Sequence, residues 1–189
     1  MPELPFEIWK DRIENEIQSL TNLKVLDQDS LMRHDANEES FVEMMINVKA
    51  LGFLKEGAEL IPIRTHKIGL RIERAFPYPG GITFSWQSQI FHPNIHPIEY
   101  ISPAGEAGTG YICLNVLKKW SRLSDLETTV KALQMLIENP NPDDPLNYDI
   151  CLEAADFFRE NPMEQIREQF DFEETEEEDD YDDIIIVDD

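Results

Sequence analysis

The sequence predicts an α+β fold: one opening helix, a four-stranded antiparallel meander, then closing helices. Three observations carry this reading. Residues 6–20 hold an apolar stripe at helical spacing, the stretch from about 40 to 86 contains short β-type runs with period-two alternation, and helical spacing returns from Leu126 onward.

The elements follow in order. Steps of four and three from Trp9 through Ile13 and Ile17 to Leu20, with Phe6 and Ile8 ahead of them, describe one face of an amphipathic helix. Phe41-Val42-Glu43-Met44-Met45-Ile46-Asn47-Val48 is short, apolar and partly β-branched, and residues 66–76 alternate through Ile68, Leu70 and Ile72. Both read as strands. A turn rich in Pro77, Pro79, Gly80 and Gly81 precedes a further strand, Gly81-Ile82-Thr83-Phe84-Ser85-Trp86. Residues 97–110, with Pro97, Pro103, Gly105, Gly108 and Gly110, resist helix and strand alike and mark a loop ahead of Cys113. Leu126, Val130, Leu133, Leu136 and Ile137 keep helical spacing, with Ser124 and Glu127 placed as a capping box, and Pro140, Pro142 and Pro145 stop that helix. Leu152, Ala155 and Phe158, then Ile166 and Phe170 after Pro162, predict closing helical segments.

With 189 residues, 41% of them hydrophobic, the chain has apolar material for one core of ordinary size and not for two. The expected organisation is a domain over residues 1–170 and an acidic tail over 171–189. Twelve of the last nineteen residues are Asp or Glu, so the tail holds −12 of the formal −23. A block of like charge this dense repels itself and is expected to be disordered when free.

Such a charge excludes partners held through phosphate neutralisation, so neither nucleic acid nor an anionic membrane is expected, and a basic protein partner fits better. The start, Met1-Pro2-Glu3-Leu4-Pro5, has no positive n-region or long apolar h-region, and no run approaches the roughly 20 apolar residues of a spanning helix. A cytoplasmic location, extending to the nucleus in a eukaryote, is the expectation. The two cysteines, Cys113 and Cys151, show no CxxC pair and no metal-ligand spacing. His92 and His96 lie four apart, but a proline after each opposes the helix that would align them on a metal, and no metal is expected.

Four fragments narrow the reading: Phe91-His92-Pro93-Asn94, Tyr111-Ile112-Cys113-Leu114-Asn115-Val116-Leu117, Trp120, and Asn139-Pro140-Asn141-Pro142-Asp143-Asp144-Pro145-Leu146-Asn147. In this order they resemble the ubiquitin-conjugating enzymes over roughly residues 5–170. The resemblance implies that Cys113 accepts ubiquitin or a ubiquitin-like modifier from an activating enzyme as a thioester. It then delivers the modifier to a lysine amine of a protein substrate, usually with a ligase. No cofactor is implied, since ATP is used by the upstream activating enzyme, and a monomer is expected. Thiolate is the reactive form of such a cysteine. Thioester exchange is close to isoenergetic, so alignment can supply much of the rate.

Asn94 matches the family's asparagine, proposed to donate its amide to the oxyanion formed on aminolysis, a contribution of about 3 kcal/mol for such donors. The alternative is that this amide pins a backbone loop. Asp144 falls where the family often has an acid that orients the incoming lysine. A carboxylate alone would raise the lysine's pKa, so burial of the amine must favour proton loss. His92 and Pro93 are expected to shape the turn, His92 through a bond to a backbone group, and Leu114 to support the site. Trp120, Leu133 and Leu136 read as core and Cys151 as a structural or exposed spectator thiol.

Departures from the family pattern are also legible. Eighteen residues separate Asn94 from Cys113, an insertion of roughly residues 97–108 that could be a lid, a specificity element or a surface loop. Ser121-Arg122-Leu123-Ser124 replaces the Ser-Pro-Ala that ligases grip, and Gly80-Gly81 replaces paired prolines. The opening helix is acidic, with Glu7, Asp11, Glu14 and Glu16 against Lys10 and Arg12. Non-standard partners are the implication. The chain closes on Ile184, Ile185, Ile186 and Val187 between aspartates, resembling motifs that add a strand to a ubiquitin-like modifier; a solubilising tail or a strand on this protein's own sheet are the other readings. Two further functions stay open: a non-catalytic module on the same fold that binds a modifier or ligase, and a cysteine hydrolase, for which neither His34 nor His66 is linked to Cys113 by any signature.

Overall fold

A computed structural model describes residues 3–35, 39–78, 80–113 and 124–170. The first helix, α1 (Phe6–Asn22), buries Trp9, Ile13, Ile17 and Leu20, the stripe read from the sequence. Its indole Nε1 at Trp9 donates to the Glu73 carbonyl (3.0 Å), which ties the helix to the end of a strand 64 residues away.

Four strands form the sheet: β1 (Leu26–His34), β2 (Phe41–Glu56), β3 (Glu59–Glu73) and β4 (Ile82–Trp86), in the order β1-β2-β3-β4 with every pairing antiparallel. The strands begun at Phe41 and His66 are arms of one long hairpin that turns at Gly57, whose φ of +61° suits glycine. A bulge between Lys49 and Gly52 re-aims β2. At Gly52 a Cβ would stand 2.7 Å from the His66 ring, so only glycine lets that buried imidazole lie against the strand.

Residues 124–170 supply α2 (Leu126–Glu138), α3 (Asp149–Glu160) and α4 (Met163–Phe170). The capping box expected from Ser124 and Glu127 does not form. Asp125 is the N-cap, its Oδ1 accepting the Thr128 N–H (2.6 Å), while Glu127 pairs with Lys131 one turn on (2.8 Å). A carboxylate at the N-cap both accepts the orphan N–H and meets the positive helix end. Ser124 instead offers its carbonyl to the Arg12 guanidinium (2.8 Å).

Glu16 also departs from its sequence reading. It is buried rather than displayed on an acidic surface, salt-bridged to Arg12 (2.7 Å) and accepting the Leu126 N–H (2.8 Å). An acid on α1 thus completes the first turn of α2.

The main core lies between the inner sheet face (Met44, Ile46, Ile68, Leu70, Trp86) and the apolar faces of α1 and α2, including Leu133, with Leu136 packed at its edge. A second cluster of Phe53, Phe91, Ala154, Phe158, Met163 and Ile166 fixes α3 and α4 to the extended hairpin. Trp120 lies outside the described residues. Among the described residues, no helix is long and apolar enough to cross a membrane.

Candidate active site

The site is built on a short ladder, β5 (Ile95–His96) against β6 (Tyr111–Ile112), pairing Ile95 with Ile112 and His96 with Tyr111. One step further along, the Cys113 N–H donates to the Asn94 carbonyl (2.9 Å). Eighteen intervening residues therefore do not part Asn94 from Cys113.

The inserted residues fold out as an arm. Ile101 bridges Ala107, Ser102 N–H donates to Glu106 O (2.9 Å), and Gly108 N–H to Tyr100 O (2.7 Å). Its base needs glycine twice. A Cβ on Gly108 would fall 1.6 Å from the Pro97 carbonyl oxygen, and Gly110 has φ +71° with the Ser85 hydroxyl 2.3 Å from where its Cβ would be. The ladder is fastened to the sheet because Trp86 donates to Gly110 O (2.8 Å) and Ile98 donates to Trp86 O (3.0 Å).

Asn94 is buried and its side chain is fully engaged. Nδ2 donates to the carbonyls of Asn141 (3.0 Å) and Asp144 (2.9 Å), and Oδ1 accepts the Asn141 N–H (2.8 Å). These bonds bracket the proline-rich loop between α2 and α3 beside Cys113. Both amide hydrogens are spent on the loop in this state, so donation to an oxyanion requires releasing one carbonyl. Leu146 N–H to Pro93 O (2.9 Å) adds a backbone tie.

His92 takes the Asn94 N–H on Nδ1 (3.0 Å), which leaves the proton on Nε2 to donate to Leu136 O (3.0 Å). Complete burial pushes its pKa down to about 3, so the ring stays neutral and acts as a spacer between the turn and α2. His96 accepts the Thr109 N–H on Nδ1 (3.2 Å) and stacks on Tyr148 with centroids 3.7 Å apart. Desolvation lowers its pKa as well. Among the described residues no group of three or more His, Cys, Asp or Glu is arranged to hold a metal ion.

Cys113 is half-buried, and neither cysteine is in a disulfide. Cys151 is fully buried, its thiol donating to Ile95 O (3.2 Å), and burial pushes its pKa up to about 12. The Asp144 carboxylate is exposed while its backbone is held by Asn94; Asp143 N–H donates to Asn141 Oδ1 (3.2 Å) within the same turn. Two positioning contacts had no signature in the sequence: the Tyr148 ring on His96, and Arg159 Nη2 donating to Pro142 O (2.6 Å). Leu114, Ile184, Ile185, Ile186 and Val187 lie outside the described residues.

Residues 63–170 match the family model for ubiquitin-conjugating enzymes. The chain is 31% identical over 105 residues to ubiquitin-conjugating enzyme E2 2 of Emericella nidulans, covering 54% of this chain and 58% of that protein. It is 38% identical over 81 residues to ubiquitin-conjugating enzyme E2 N of Drosophila melanogaster, covering 42% and 44%. The chain thus spans about half the length of these curated relatives. Among solved structures, S. cerevisiae Ubc12 is similar with a TM-score of 0.49 at 22% identity, covering 82% of this chain and 76% of that one.

Proposed function

The chain belongs to the ubiquitin-conjugating enzyme family, and on that premise we propose that it carries ubiquitin or a ubiquitin-like modifier as a thioester on Cys113 and passes it to a lysine amine. The observation that supports this reading is the backbone bond from Cys113 to Asn94, whose side chain in turn holds the loop that bears Asp144.

In the first step the Cys113 thiolate attacks the thioester carbonyl presented by an activating enzyme, whose own thiolate leaves. In the second a neutral lysine amine attacks the Cys113 thioester, the tetrahedral oxyanion collapses, and the Cys113 thiolate departs while the nitrogen loses its proton to water. Asn94 releases one loop carbonyl and donates that N–H to the oxyanion. Asp144, held by its backbone with its carboxylate exposed, orients the ammonium before it is buried and deprotonated. His92 and Pro93 keep the turn in place and move no proton. Leu114 is given a supporting role by the family resemblance alone.

The proposal extends to an activating enzyme, a modifier, a ligase and a substrate protein as partners, to a monomer without a cofactor, and to the cytoplasm or nucleus as its location. The tail segment Ile184, Ile185, Ile186 and Val187 is proposed as a modifier-binding strand. A second reading, a non-catalytic module on this fold, is favoured by the Asn94 amide being spent on the loop.

Incubation with activating enzyme, ATP and candidate modifiers, followed by gels with and without reductant, separates the two. A reductant-sensitive adduct absent from Cys113→Ala supports the carrier; no adduct with any matched set supports the module.

A further inference from the structure

Away from Cys113, a cleft of about 650 Å³ opens where the β2 bulge, the facing residues of β3, the end of α2 and the last turn of α4 meet. Lys49, Arg64 and Arg167 line it, with Leu51 at its wall and Glu138 the carboxylate among them. The bulge makes this opening. Regular pairing stops at Lys49 with Thr65 and resumes at Gly52 with Ile63, leaving Arg64 across from the unpaired residues. Lys49 and Arg64 are exposed, and Arg167 is held half-buried by donating Nη2 to the Glu138 carbonyl.

Three cations around one opening are out of character for this molecule, which has only 16 Lys and Arg against 39 Asp and Glu. The chain itself carries the complementary ligand. Helix α4 ends at Phe170, anchored on Phe53 with ring centroids 5.3 Å apart, three residues beyond Arg167. Residues 173–183 follow, with nine carboxylates and no cation. A segment tethered within a few residues of a complementary cleft faces it at an effective concentration of about millimolar, so weak ion pairs suffice to hold it.

We propose that the acidic segment 173–183 docks in this cleft of its own chain, its carboxylates against Lys49, Arg64 and Arg167. Docking is electrostatic and tethered, so it opens with salt and is independent of protein concentration. It also makes the segment's engagement with any basic partner a competition with the cleft. The inference stands apart from the chemistry at Cys113.

The test is the amide NMR spectrum of the full chain at about 0.05 M and about 0.5 M salt, compared with two variants. One replaces every Asp and Glu in residues 173–183 by Asn and Gln. The other carries Lys49→Glu and Arg64→Glu, with Lys49→Gln and Arg64→Gln in reserve should reversal impair folding. In the parent at low salt, the amides of residues 49–51, 64 and 65 should differ from those of the neutral-tail variant, and the difference should vanish at high salt. In the cleft variant the tail amides should match their high-salt positions already at low salt. Identical cleft amides in the parent and the neutral-tail variant would overturn the proposal. So would shifts that fade on dilution, which would assign the cleft to the tail of a second copy.

Discussion

Replacing Asn94 by alanine should cost measurable stability while leaving the loading of Cys113 possible. The substitution removes three hydrogen bonds at once, those to Asn141 O (3.0 Å), Asp144 O (2.9 Å) and Asn141 N (2.8 Å). A typical intramolecular bond is worth about 1 kcal/mol net, and the loop side is open enough for water to replace part of the loss, so about 2–3 kcal/mol is expected. For a domain of this size each kcal/mol moves Tm by about 2–4 °C, giving a drop of about 5–10 °C in a calorimetric scan. Asn94→Asp should do no better, because it sets a carboxylate oxygen against two carbonyls. The Cys113 bond to the Asn94 backbone survives both changes, so thioester loading should persist while aminolysis slows. A Tm within about 1 °C of the parent would show that the loop is held by other contacts and would refute the bracket.

Two further outcomes follow from the same framework. Gly110→Ala, at φ +71° with Ser85 Oγ 2.3 Å and Ile98 Cγ1 2.9 Å from the new Cβ, should cost about 1–3 kcal/mol and loosen the arm's base, whereas Gly105→Ala, at φ +81° with nothing within 4 Å, should cost only backbone strain of about 1 kcal/mol. Equal denaturation midpoints for the two would refute the packing argument. Stability should also fall on acidification from about pH 6.5, because the unfolded state gains a histidine proton that native His92, with its pKa about 3, declines. The slope from His92 alone is about 1.4 kcal/mol per pH unit down to about pH 3, and His66 and His96 shift in the same direction. A flat profile between about pH 7 and about pH 5.5 in denaturant titrations would contradict this.

What could be read from the sequence divides along physical lines. The α1 stripe and the Leu126, Val130, Leu133 and Ile137 face were legible because each is a periodic apolar pattern facing one core. Strand β1 was not singled out, since its edge position and its irregularity between Asp27 and Met32 leave it polar and half-exposed. The far half of the β2–β3 hairpin was hidden for a related reason. A bulge and Pro62 interrupt its alternation, and Leu51, Phe53 and Leu60 serve the second cluster rather than the first. Ser124 and Asp125 both suit an N-cap, and the choice was made by Arg12, which takes the Ser124 carbonyl from another helix. At the site, the fragments around Asn94 and Cys113 gave the residues but not their contacts. Arg159 and Tyr148 hold the loop through a carbonyl and a ring face, neither of which leaves a mark on residue order.

The arm between β5 and β6 has a consequence for how variants of this chain can arise. Because the ladder pairs Ile95 with Ile112 below the arm, and Trp86 grips both sides of its base, length added or removed between Tyr100 and Gly108 is geometrically silent at Cys113. The nucleophile and its neighbour form a closed clasp, and what hangs from the clasp can be rewritten without reopening it. Contour length and chemistry are thereby uncoupled, so this surface can change its partners without rebuilding the site beneath it.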